Sequence, residues 1–354
     1  MSSVWGDRVK LTVFGESRGE AIGVVIDGLP PGERIDMAAC RAEMARRAPG
    51  YGELSSMRRE PDEARVISGL RGEITTGAPL CALIENIDAD KGTAQHNIAR
   101  PGHADYTAHV KYKGFADMRG GGHFSGRLTA PLVFAGSIAR QILARRGIEI
   151  GARIVRIGNV LDDSVFEPSA QTFSDLCRVI LPVLCTNAAQ RMREEVLAAK
   201  AVGDSVGGTV EVAAVGVPAG LGAPLFASIE SAVAALLFSI PAVKGVEFGD
   251  GFGVAEKRGS QTNDAIRTNS KGVMFLSNHN GGVLGGITNG APLIVRVAFK
   301  PTPSIAIEQL SINLETMQNT TISSEGRNDP CIVPRATPVV EACMAIAILD
   351  KFTF

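Results

Sequence analysis

Residues 100–143 read RPGHADYTAHVKYKGFADMRGGGHFSGRLTAPLVFAGSIARQIL, a basic, glycine-rich stretch that runs into an apolar one. Its first part, residues 100–127, contains five Lys or Arg, three His, six Gly and only two acidic residues. Glycine lets the backbone approach a ligand closely, arginine binds carboxylate and phosphate groups as a planar fork, and histidine can move protons near neutral pH. The sequence therefore predicts a pocket for a polyanionic small molecule, with proton chemistry inside it.

The apolar part of the same stretch has the spacing of a helix. Its regularly spaced apolar residues are Leu128, Leu132, Ala135, Ile138, Ala139, Ile142 and Leu143. The glycine-rich loop would then enter a helix N-terminus, where unpaired N–H groups and the helix dipole favour an anion. A tight turn capped by Ser125 or Thr129 explains the loop equally well. We expect the helix to end near Gly147, because glycine suits the residue that follows a helix.

Segments typical of strands and of helices alternate irregularly along the rest of the chain. Strands are expected within 9–13, 208–217 and 292–299, and helices at 186–201, 228–238 and 334–350. This pattern predicts an α+β fold and one domain over residues 1–354. No GxGxxG motif opens a βαβ unit, which disfavours a Rossmann-type flavin site.

The composition excludes several classes of protein. The chain has 354 residues with 45% apolar content and a net charge of −1, which argues against a general nucleic-acid-binding surface. An anion site must therefore come from a local concentration of arginine. Six cysteines without metal-type spacing are typical of reduced thiols in a cytoplasmic protein, and no metal site is expected. The N-terminus lacks the apolar core of a secretory signal, and no uncharged apolar run predicts a membrane span.

The motif RPGHADYT at 100–107, followed by RGGGHFSGR at 119–127, resembles the chorismate synthase family. Nine other motifs occur in the order found in that family. They are FGES (14–17), IDGLPPG (26–32), RRAPG (46–50), RREPDE (58–63), SIPAVKGVEFGDGF (239–252), SNHNGGVLGGITNG (277–290), KPTPSI (300–305), GRNDPC (326–331) and VPRATPVVEA (333–342).

This resemblance implies both an architecture and a reaction. The architecture is a single domain in which core helices are sandwiched between antiparallel β-sheets, assembled as a cytoplasmic homotetramer. The reaction is the last step of the shikimate pathway to the aromatic amino acids. A lyase eliminates phosphate from 5-enolpyruvylshikimate-3-phosphate in an anti-1,4 sense, with loss of the C6 hydrogen, and gives chorismate. The enzyme is a flavoprotein that needs reduced FMN, and NADPH is a candidate reductant beside an outside electron source.

Three residues stand at catalytic positions by this resemblance. His103 would lie beside the leaving phosphate, where a protonated imidazole would stabilise the developing charge. Asp329 would exchange a proton with flavin N5. Arg18 stands where the family has its first catalytic histidine. From the residues alone, a loop histidine is more often an ordinary surface residue, and an Asp before Pro is usually a turn residue.

The resemblance also implies the ligand contacts. The residues expected to bind substrate are Arg46, Arg47, Arg58, Ser125, Arg127 and Arg327. The residues expected to bind the cofactor are His123, Phe124, Ser125, Ala242, Gly285, Lys300, Pro301, Thr302, Pro303, Ser304 and Arg327. Without the resemblance, a run of arginines would be interpreted as a solvated face.

Two departures from the family pattern bear on activity. Arginine is always charged and cannot act as a general acid at neutral pH, so Arg18 predicts a slowed enzyme that still binds FMN. Glu53 stands where Lys or Arg is expected, so its carboxylate must point away from the substrate or weaken substrate binding.

Two alternative functions follow from these departures. One is a catalytically impaired paralogue that binds FMN or substrate in a binding or regulatory role. The other is a flavin-dependent lyase or reductase for a different small acid, which Glu53 and a short 88–99 loop would allow.

Overall fold

Two five-stranded antiparallel sheets and a layer of buried helices between them make up the fold. The computed structural model describes residues 3–50, 52–55, 60–87, 97–270, 272–324 and 328–352. The strands, in chain order, are β1 (Val4–Trp5), β2 (Lys10–Gly15), β3 (Ala21–Asp27), β4 (Ala64–Ser68), β5 (Leu70–Arg71), β6 (Ile74–Thr75), β7 (Leu80–Glu85), β8 (Glu149–Ile157), β9 (Val160–Leu161), β10 (Gly208–Val215), β11 (Val243–Phe248), β12 (Ile266–Asn269), β13 (Gly272–Phe275), β14 (Val283–Leu284), β15 (Ile287–Thr288), β16 (Leu293–Phe299), β17 (Gln309–Ile312) and β18 (Asn319–Ile322).

The α-helices carry the layer between the sheets and several surface connections. They are α1 (Met37–Arg47), α2 (Asp105–Tyr112), α3 (Thr129–Ala144), α4 (Ala170–Leu176), α5 (Thr186–Ala201), α6 (Ile229–Ser239), α7 (Gly259–Thr262) and α8 (Val333–Lys351). Short 3₁₀ turns lie at Gly52–Leu54, Arg119–Phe124, Gly126–Leu128, Leu225–Ala227 and Gly251–Glu256. No helix in the described part of the chain is long and apolar enough to cross a membrane.

The first sheet has the strand order β1-β2-β3-β7-β4, and the second has the order β11-β16-β10-β8-β9. In the second sheet, Val212 of β10 lies opposite Ala152 of β8 on one side and Val295 of β16 on the other. All three side chains are buried. The strands expected within 9–13, 208–217 and 292–299 are confirmed as β2, β10 and β16, with β2 beginning one residue later.

The helices α3 and α8 form the centre of the molecule. Nearly every residue of both helices is buried, as expected for helices that are apolar on all sides. Helix α3 packs on β3 and β7 of the first sheet and on β8 of the second, and α8 packs on β8 and β10. A Cβ atom at Gly136 of α3 would overlap Ala342 of α8, so glycine is needed for this close crossing. The α+β fold with helices between antiparallel sheets is therefore confirmed.

Helix ends follow local capping chemistry. Helix α1 begins after Asp36, whose carboxylate accepts hydrogen bonds from the backbone N–H groups of Ala38 and Ala39. Helix α6 begins after Ser228, which caps it through the N–H of Ser231. Helix α3 ends at Ala144, and the turn that follows it includes Gly147 at φ +77°, close to the end expected near that glycine. The predicted helix at 186–201 coincides with α5, and those at 228–238 and 334–350 match α6 and α8 to within one residue.

Candidate active site

A cavity of about 1150 Å³ lies where both sheets and the glycine-rich loop meet. Trp5, Leu11 and Val13 line it from the first sheet, and Val243 and Phe299 line it from the second. Its size exceeds the roughly 300–1,000 Å³ of common ligand pockets, so it has room for a cofactor and a substrate together. The charged side chains that line it are Arg47, Glu60, Arg100, Lys111, Arg127, Lys244, Lys300, Asp329 and Arg335. Because cations outnumber carboxylates among these residues, the cavity favours an anion.

The glycine-rich loop, residues 119–128, forms one rim of this cavity. Gly120, Gly121 and Gly122 have φ values of 63°, 99° and 54°, in the region that glycine adopts without a steric penalty. A Cβ atom at Gly122 would overlap the carbonyl oxygen of Asp117. The loop therefore depends on its glycines, and Gly120 and Gly121 bring backbone to the cavity surface.

The end of the loop holds three of the expected cofactor contacts at the cavity, namely His123, Phe124 and Ser125. The Ser125 hydroxyl accepts a hydrogen bond from the N–H of Arg127 at 3.2 Å and so caps the turn that leads into α3. His123 contacts the carbonyl oxygen of Gly15 through Nδ1 at 2.8 Å and the hydroxyl of Ser3 through Nε2 at 2.9 Å. Since a carbonyl oxygen only accepts, Nδ1 carries a proton and donates it to that hydrogen bond.

Two buried arginines converge on one carboxylate at the base of the cavity. Arg47 donates from Nη1 to Asp62 and from Nε to Thr129, at 3.1 Å for the second bond. Arg127 donates from Nη1 to the other oxygen of Asp62 and from Nε to Asn86, at 2.9 Å for the second bond. Both guanidinium groups are thereby fixed in orientation, because a carboxylate and planar forks match each other's geometry.

A second carboxylate and a backbone oxygen complete this cluster. Glu60 lies 3.7 Å from Nη2 of Arg127 and accepts a hydrogen bond from the N–H of Ile87. The same Nη2 donates to the carbonyl oxygen of Glu85 at 3.1 Å. Burial lowers the pKa of Arg47 to about 10. The positive charges of Arg335 and Arg127 add to this shift, and the carboxylate of Asp62 opposes it. Arg47 therefore remains a cation at neutral pH.

His103 lines the cavity from the loop before α2. Its Nε2 is 2.6 Å from the hydroxyl of Ser304, and Lys300 donates from Nζ to the carbonyl oxygen of Gly102. The loop 100–104 is thus joined to the segment 300–304. The sequence expectation that both segments belong to one site agrees with this placement.

The charge state of His103 differs from the protonated form expected at the catalytic step. Burial and the neighbouring cations Arg100 and Lys300 lower the pKa of His103 to about 4, with Asp105 opposing them. The imidazole is therefore neutral at neutral pH in the free protein. An anion bound beside it would raise that pKa, because an opposite charge stabilises the imidazolium.

Asp329 lines the cavity just before α8. Its Oδ2 accepts from Nη1 of Arg335, and its Oδ1 is 3.3 Å from the hydroxyl of Ser55. Arg335 also donates from Nε to the carbonyl oxygen of Arg47 at 3.0 Å. Arg335 thus links Asp329 to the arginine cluster. Its place in the VPRATP motif was the only sign of a role in the sequence.

The segment 300–304 presents groups suited to a phosphate. Thr302, Pro303 and Ser304 line the cavity together with Lys300. Within the described residues, the buried hydroxyl of Thr302 has no hydrogen-bond partner. Such a group costs about 1–3 kcal/mol unless a ligand or water satisfies it. Ala242, which accepts from the N–H of Lys300 at 3.0 Å, also lines the cavity and has φ +76°, an uncommon conformation for alanine.

Several expected site residues lie elsewhere. Arg46 contacts Glu341 at 2.5 Å and Glu43 at 2.7 Å between α1 and α8, and it borders a separate cavity of about 250 Å³. Gly285 lies in the turn between β14 and β15 and does not line the large cavity. Pro301 is also outside its lining, although its neighbours on both sides are within it. Arg46, Gly285 and Pro301 are therefore not among the residues that line this cavity.

Arg18 is not among the residues that line the cavity. A Cβ atom at Gly120 would come within 3.1 Å of its Nε, so the arginine packs against the glycine-rich loop. Arg58, Arg327 and residues 88–96 of the loop, which were also singled out, lie outside the described residues. No group of His, Cys, Asp and Glu in the described chain could hold a metal ion.

Glu53 points away from the cavity. Its carboxylate contacts Arg193 of α5 at 2.5 Å, and its carbonyl oxygen accepts from Lys200 at 2.7 Å. Of the two outcomes considered for this departure, the structure has the one in which the carboxylate does not face the substrate region.

Sequence reasoning did not identify several charged residues of the cavity. They are Glu60, Arg100, Lys111, Lys244 and Arg335, which line it, and Asp62, which is buried beneath it. Asp62 and Glu60 belong to the RREPDE motif, and Arg100 belongs to RPGHADYT. These motifs therefore indicated the three positions, although no role was assigned to them. Lys244 belongs to the motif SIPAVKGVEFGDGF, and Lys111 lies between RPGHADYT and RGGGHFSGR.

Comparison with known proteins agrees with the motifs. The family model described as "Chorismate synthase" matches residues 9–353. Chorismate synthase from Thermococcus gammatolerans is 49% identical over 349 residues, which cover 98% of this chain and 96% of that protein. The Pyrococcus abyssi chorismate synthase is 48% identical over 353 residues, covering 99% and 97%. A crystal structure of chorismate synthase superposes with a TM-score of 0.78 at 29% identity, covering 98% of this chain and 92% of that one.

Proposed function

Because the chain belongs to the chorismate synthase family, we propose that the large cavity is where it eliminates phosphate from 5-enolpyruvylshikimate-3-phosphate. The chain is a phosphate-eliminating lyase that forms chorismate. The observation that carries the assignment of the site is the convergence of Arg47, Arg127, His103 and Asp329 on one cationic cavity.

The residues of the cavity fit the cofactor of the family, reduced FMN. Lys300, Ser304 and the unpartnered hydroxyl of Thr302 suit its phosphate, and the glycines of the 119–128 loop leave room for a flat ring. We assign His123, Phe124 and Ser125 to the same ligand. When bound, reduced FMN supplies electron density while phosphate leaves and recovers it with the C6 hydrogen.

Arg47 and Arg127 hold the substrate in this proposal. The substrate carries two carboxylates and a phosphate, and its desolvation requires several fixed cations. Both arginines are at least 96% buried and are already oriented by Asp62, so little conformational entropy is lost on binding. Ser125 adds a hydroxyl beside Arg127. Arg58 and Arg327 remain proposed substrate contacts from the sequence.

His103 acts on the phosphate side. Its imidazole is neutral in the free protein and becomes protonated as the phosphate dianion enters beside it and Lys300. The protonated ring then donates a hydrogen bond to the departing phosphate, which stabilises the charge that develops there. Ser304 fixes the ring in place through Nε2.

Asp329 holds the proton at flavin N5. Arg335 orients its carboxylate from the first turn of α8, and Ser55 contacts the other oxygen. A positioned carboxylate of this kind can exchange a proton directly or through one water.

Arg18 gives the site a fixed positive charge where the family has a histidine. Its position under Gly120 places this charge beside the rim of the cavity. A fixed cation stabilises an anionic ligand but supplies no proton at neutral pH. We therefore propose FMN binding with slowed turnover.

We also propose the larger context of the enzyme. One continuous apolar core contains residues from both sheets, which supports a single domain over 1–354. Exposed Leu225, Phe226 and Phe252 support subunit contacts in a homotetramer. All six cysteines are free, which supports a cytoplasmic location.

The test of the proposed function is an anaerobic assay with chemically reduced FMN and 5-enolpyruvylshikimate-3-phosphate, in which chorismate is followed by absorbance. We expect chorismate with reduced FMN and none with oxidised FMN. A panel of shikimate-type acids should give no product, and NADPH in place of the chemical reductant reveals whether the protein reduces its own flavin. Tight FMN binding without chorismate would favour the impaired paralogue, and turnover of another acid would favour a different lyase or reductase.

A further inference from the structure

Asp62 is buried beneath the cavity and takes no part in the chemistry assigned above. Its side chain has no exposed surface, and its backbone has φ +54°, in the left-handed region. Asp tolerates this conformation better than most residues, yet it still costs free energy. A buried carboxylate in an uncommon backbone conformation indicates that the surroundings require this group at this place.

Two positively charged side chains, Arg47 and Arg127, contact Asp62. Arg47 and Arg127 each donate from Nη1 to a different oxygen of Asp62, so one carboxylate bridges both guanidinium groups. Without it, two buried cations would face each other in a region of low dielectric, where repulsion and desolvation are severe. Asp62 therefore makes the convergence of these arginines physically possible.

The other partners of the arginines fix their planes. Thr129 accepts from Nε of Arg47, while Asn86 accepts from Nε of Arg127. Within the described residues, Nη2 of Arg47 makes no hydrogen bond that would compete with a ligand. Asp62 and Thr129 therefore hold Arg47 through Nη1 and Nε. Its Nη2 remains to donate to a ligand in the cavity that Arg47 lines.

We propose that Asp62 is a positioning residue that holds Arg47 and Arg127 as one converging cation pair for the carboxylate or phosphate groups of the substrate. This inference rests on the proposed role of the two arginines in binding substrate. Asp62 itself contacts neither substrate nor cofactor. Its contribution is to substrate affinity, and flavin affinity does not depend on it.

The Asp62→Asn variant tests this role with little change in shape. Asparagine also tolerates a left-handed backbone, so the substitution removes the charge without adding backbone strain. We expect the KM for 5-enolpyruvylshikimate-3-phosphate to rise about tenfold or more, with a smaller fall in kcat and FMN affinity within about threefold. An unchanged KM, or an equal loss of FMN affinity, would overturn the proposal.

A matched control is Asp162→Asn. Asp162 is also fully buried, lies 3.7 Å from a buried arginine, Arg153, and accepts hydrogen bonds from Ser164 and the N–H of Leu184. It does not line the large cavity. We expect a lower Tm with unchanged KM. A rise in KM equal to that of Asp62→Asn would mean that general destabilisation explains both, and the proposal would fail.

Two further variants keep the outcome interpretable. If Asp62→Asn does not fold, Thr129→Val removes the Nε partner of Arg47 at similar volume, and a rise of about threefold in KM supports the proposal while no rise overturns it. Arg47→Lys and Arg127→Lys test the site itself. If neither raises KM, the assignment of the substrate site fails. If both raise KM and Asp62→Asn does not, only the role of Asp62 fails.

Discussion

Arg46 and Arg47 are neighbours in one motif, yet their environments have little in common. Arg47 points into the large cavity, where Asp62 and Thr129 hold it. Arg46 points between α1, α3 and α8, where Glu341 accepts from it and from Arg140. Both arginines are largely buried and both are ion-paired, but of the two only Arg47 lines the large cavity.

The cause of this difference is helical phase. Successive residues of an α-helix point about 100° apart, so two adjacent arginines at the end of α1 cannot share a face. The carboxylates outweigh the effect of burial on Arg46, and its pKa is raised. On Arg47 burial prevails, and its pKa is lowered to about 10. The motif RRAPG therefore supplies one residue that lines the large cavity, which we propose to bind substrate, and one that pairs with Glu341 between helices.

The largest expected effects separate the two arginines directly. Arg47→Met should lower kcat/KM about 10²–10³-fold, because a desolvated charge partner of the substrate is lost. Arg46→Met should leave kcat/KM within about threefold. It should instead lower the free energy of unfolding by about 3–5 kcal/mol, since Glu341 is left buried with one cation fewer. Steady-state kinetics and urea unfolding of both variants provide the measurement.

Arg46→Lys is the control for the second variant, because it keeps the charge near Glu341. Its stability should lie between that of the wild-type protein and that of Arg46→Met. The comparison of the two arginines breaks down if Arg46→Met raises KM as much as Arg47→Met does.

A second test concerns Arg18, which packs against the glycine-rich loop. Arg18→His introduces a group that can donate a proton near neutral pH, and we expect turnover to rise about tenfold to hundredfold with FMN affinity little changed. The assay is anaerobic chorismate formation. Arg18→Lys keeps a fixed cation and should not reproduce the gain. Unchanged or lower turnover in Arg18→His would show that the fixed charge is sufficient.

A third test uses pH and a cavity histidine. The pKa of His103 is about 4 in the folded protein, below the ordinary value near 6.5, so the unfolded chain binds more protons between those pH values. Stability should therefore fall as the pH drops from about 6.5 to 4, by on the order of 2–3 kcal/mol from this group. His103→Gln should lack this part of the dependence. Unfolding curves at several pH values measure it, and identical slopes in both proteins would contradict the assignment.

The smallest effect is expected outside the cavity, at Glu53. Glu53→Lys breaks an exposed pair with Arg193 and should change stability by less than about 1 kcal/mol. Because Glu53 points away from the cavity, KM should stay within about twofold. A marked fall in KM would show that the residue faces the substrate after all.

Local pattern was sufficient for much of the fold. The spacing of apolar residues predicts helices α5, α6 and α8 and strands β10 and β16. Burial of a helix or strand face requires apolar residues at the repeat of that element, so the sequence shows this repeat. The last residue of α3, Ala144, lies three residues before Gly147, near which the end was expected. Ends of elements depend on capping contacts that apolar spacing does not encode.

The site was less accessible to sequence reasoning than the fold. Motifs indicated Arg47, Arg127, His103 and Asp329, but not which member of an arginine pair faces the cavity. The bridge through Asp62 joins residues separated by 15 and 65 positions, so no local spacing reveals it. Such contacts depend on how α1 and the turn before α3 pack against the motif RREPDE.

The most direct test of the central claim is a crystal structure of the protein with oxidised FMN and 5-enolpyruvylshikimate-3-phosphate. We expect the substrate in the large cavity, with its anionic groups within hydrogen-bond distance of Arg47 and Arg127 and its phosphate beside His103, while Arg46 keeps its contact with Glu341. Substrate bound outside this cavity, or contacted by Arg46 and not by Arg47, would contradict the account.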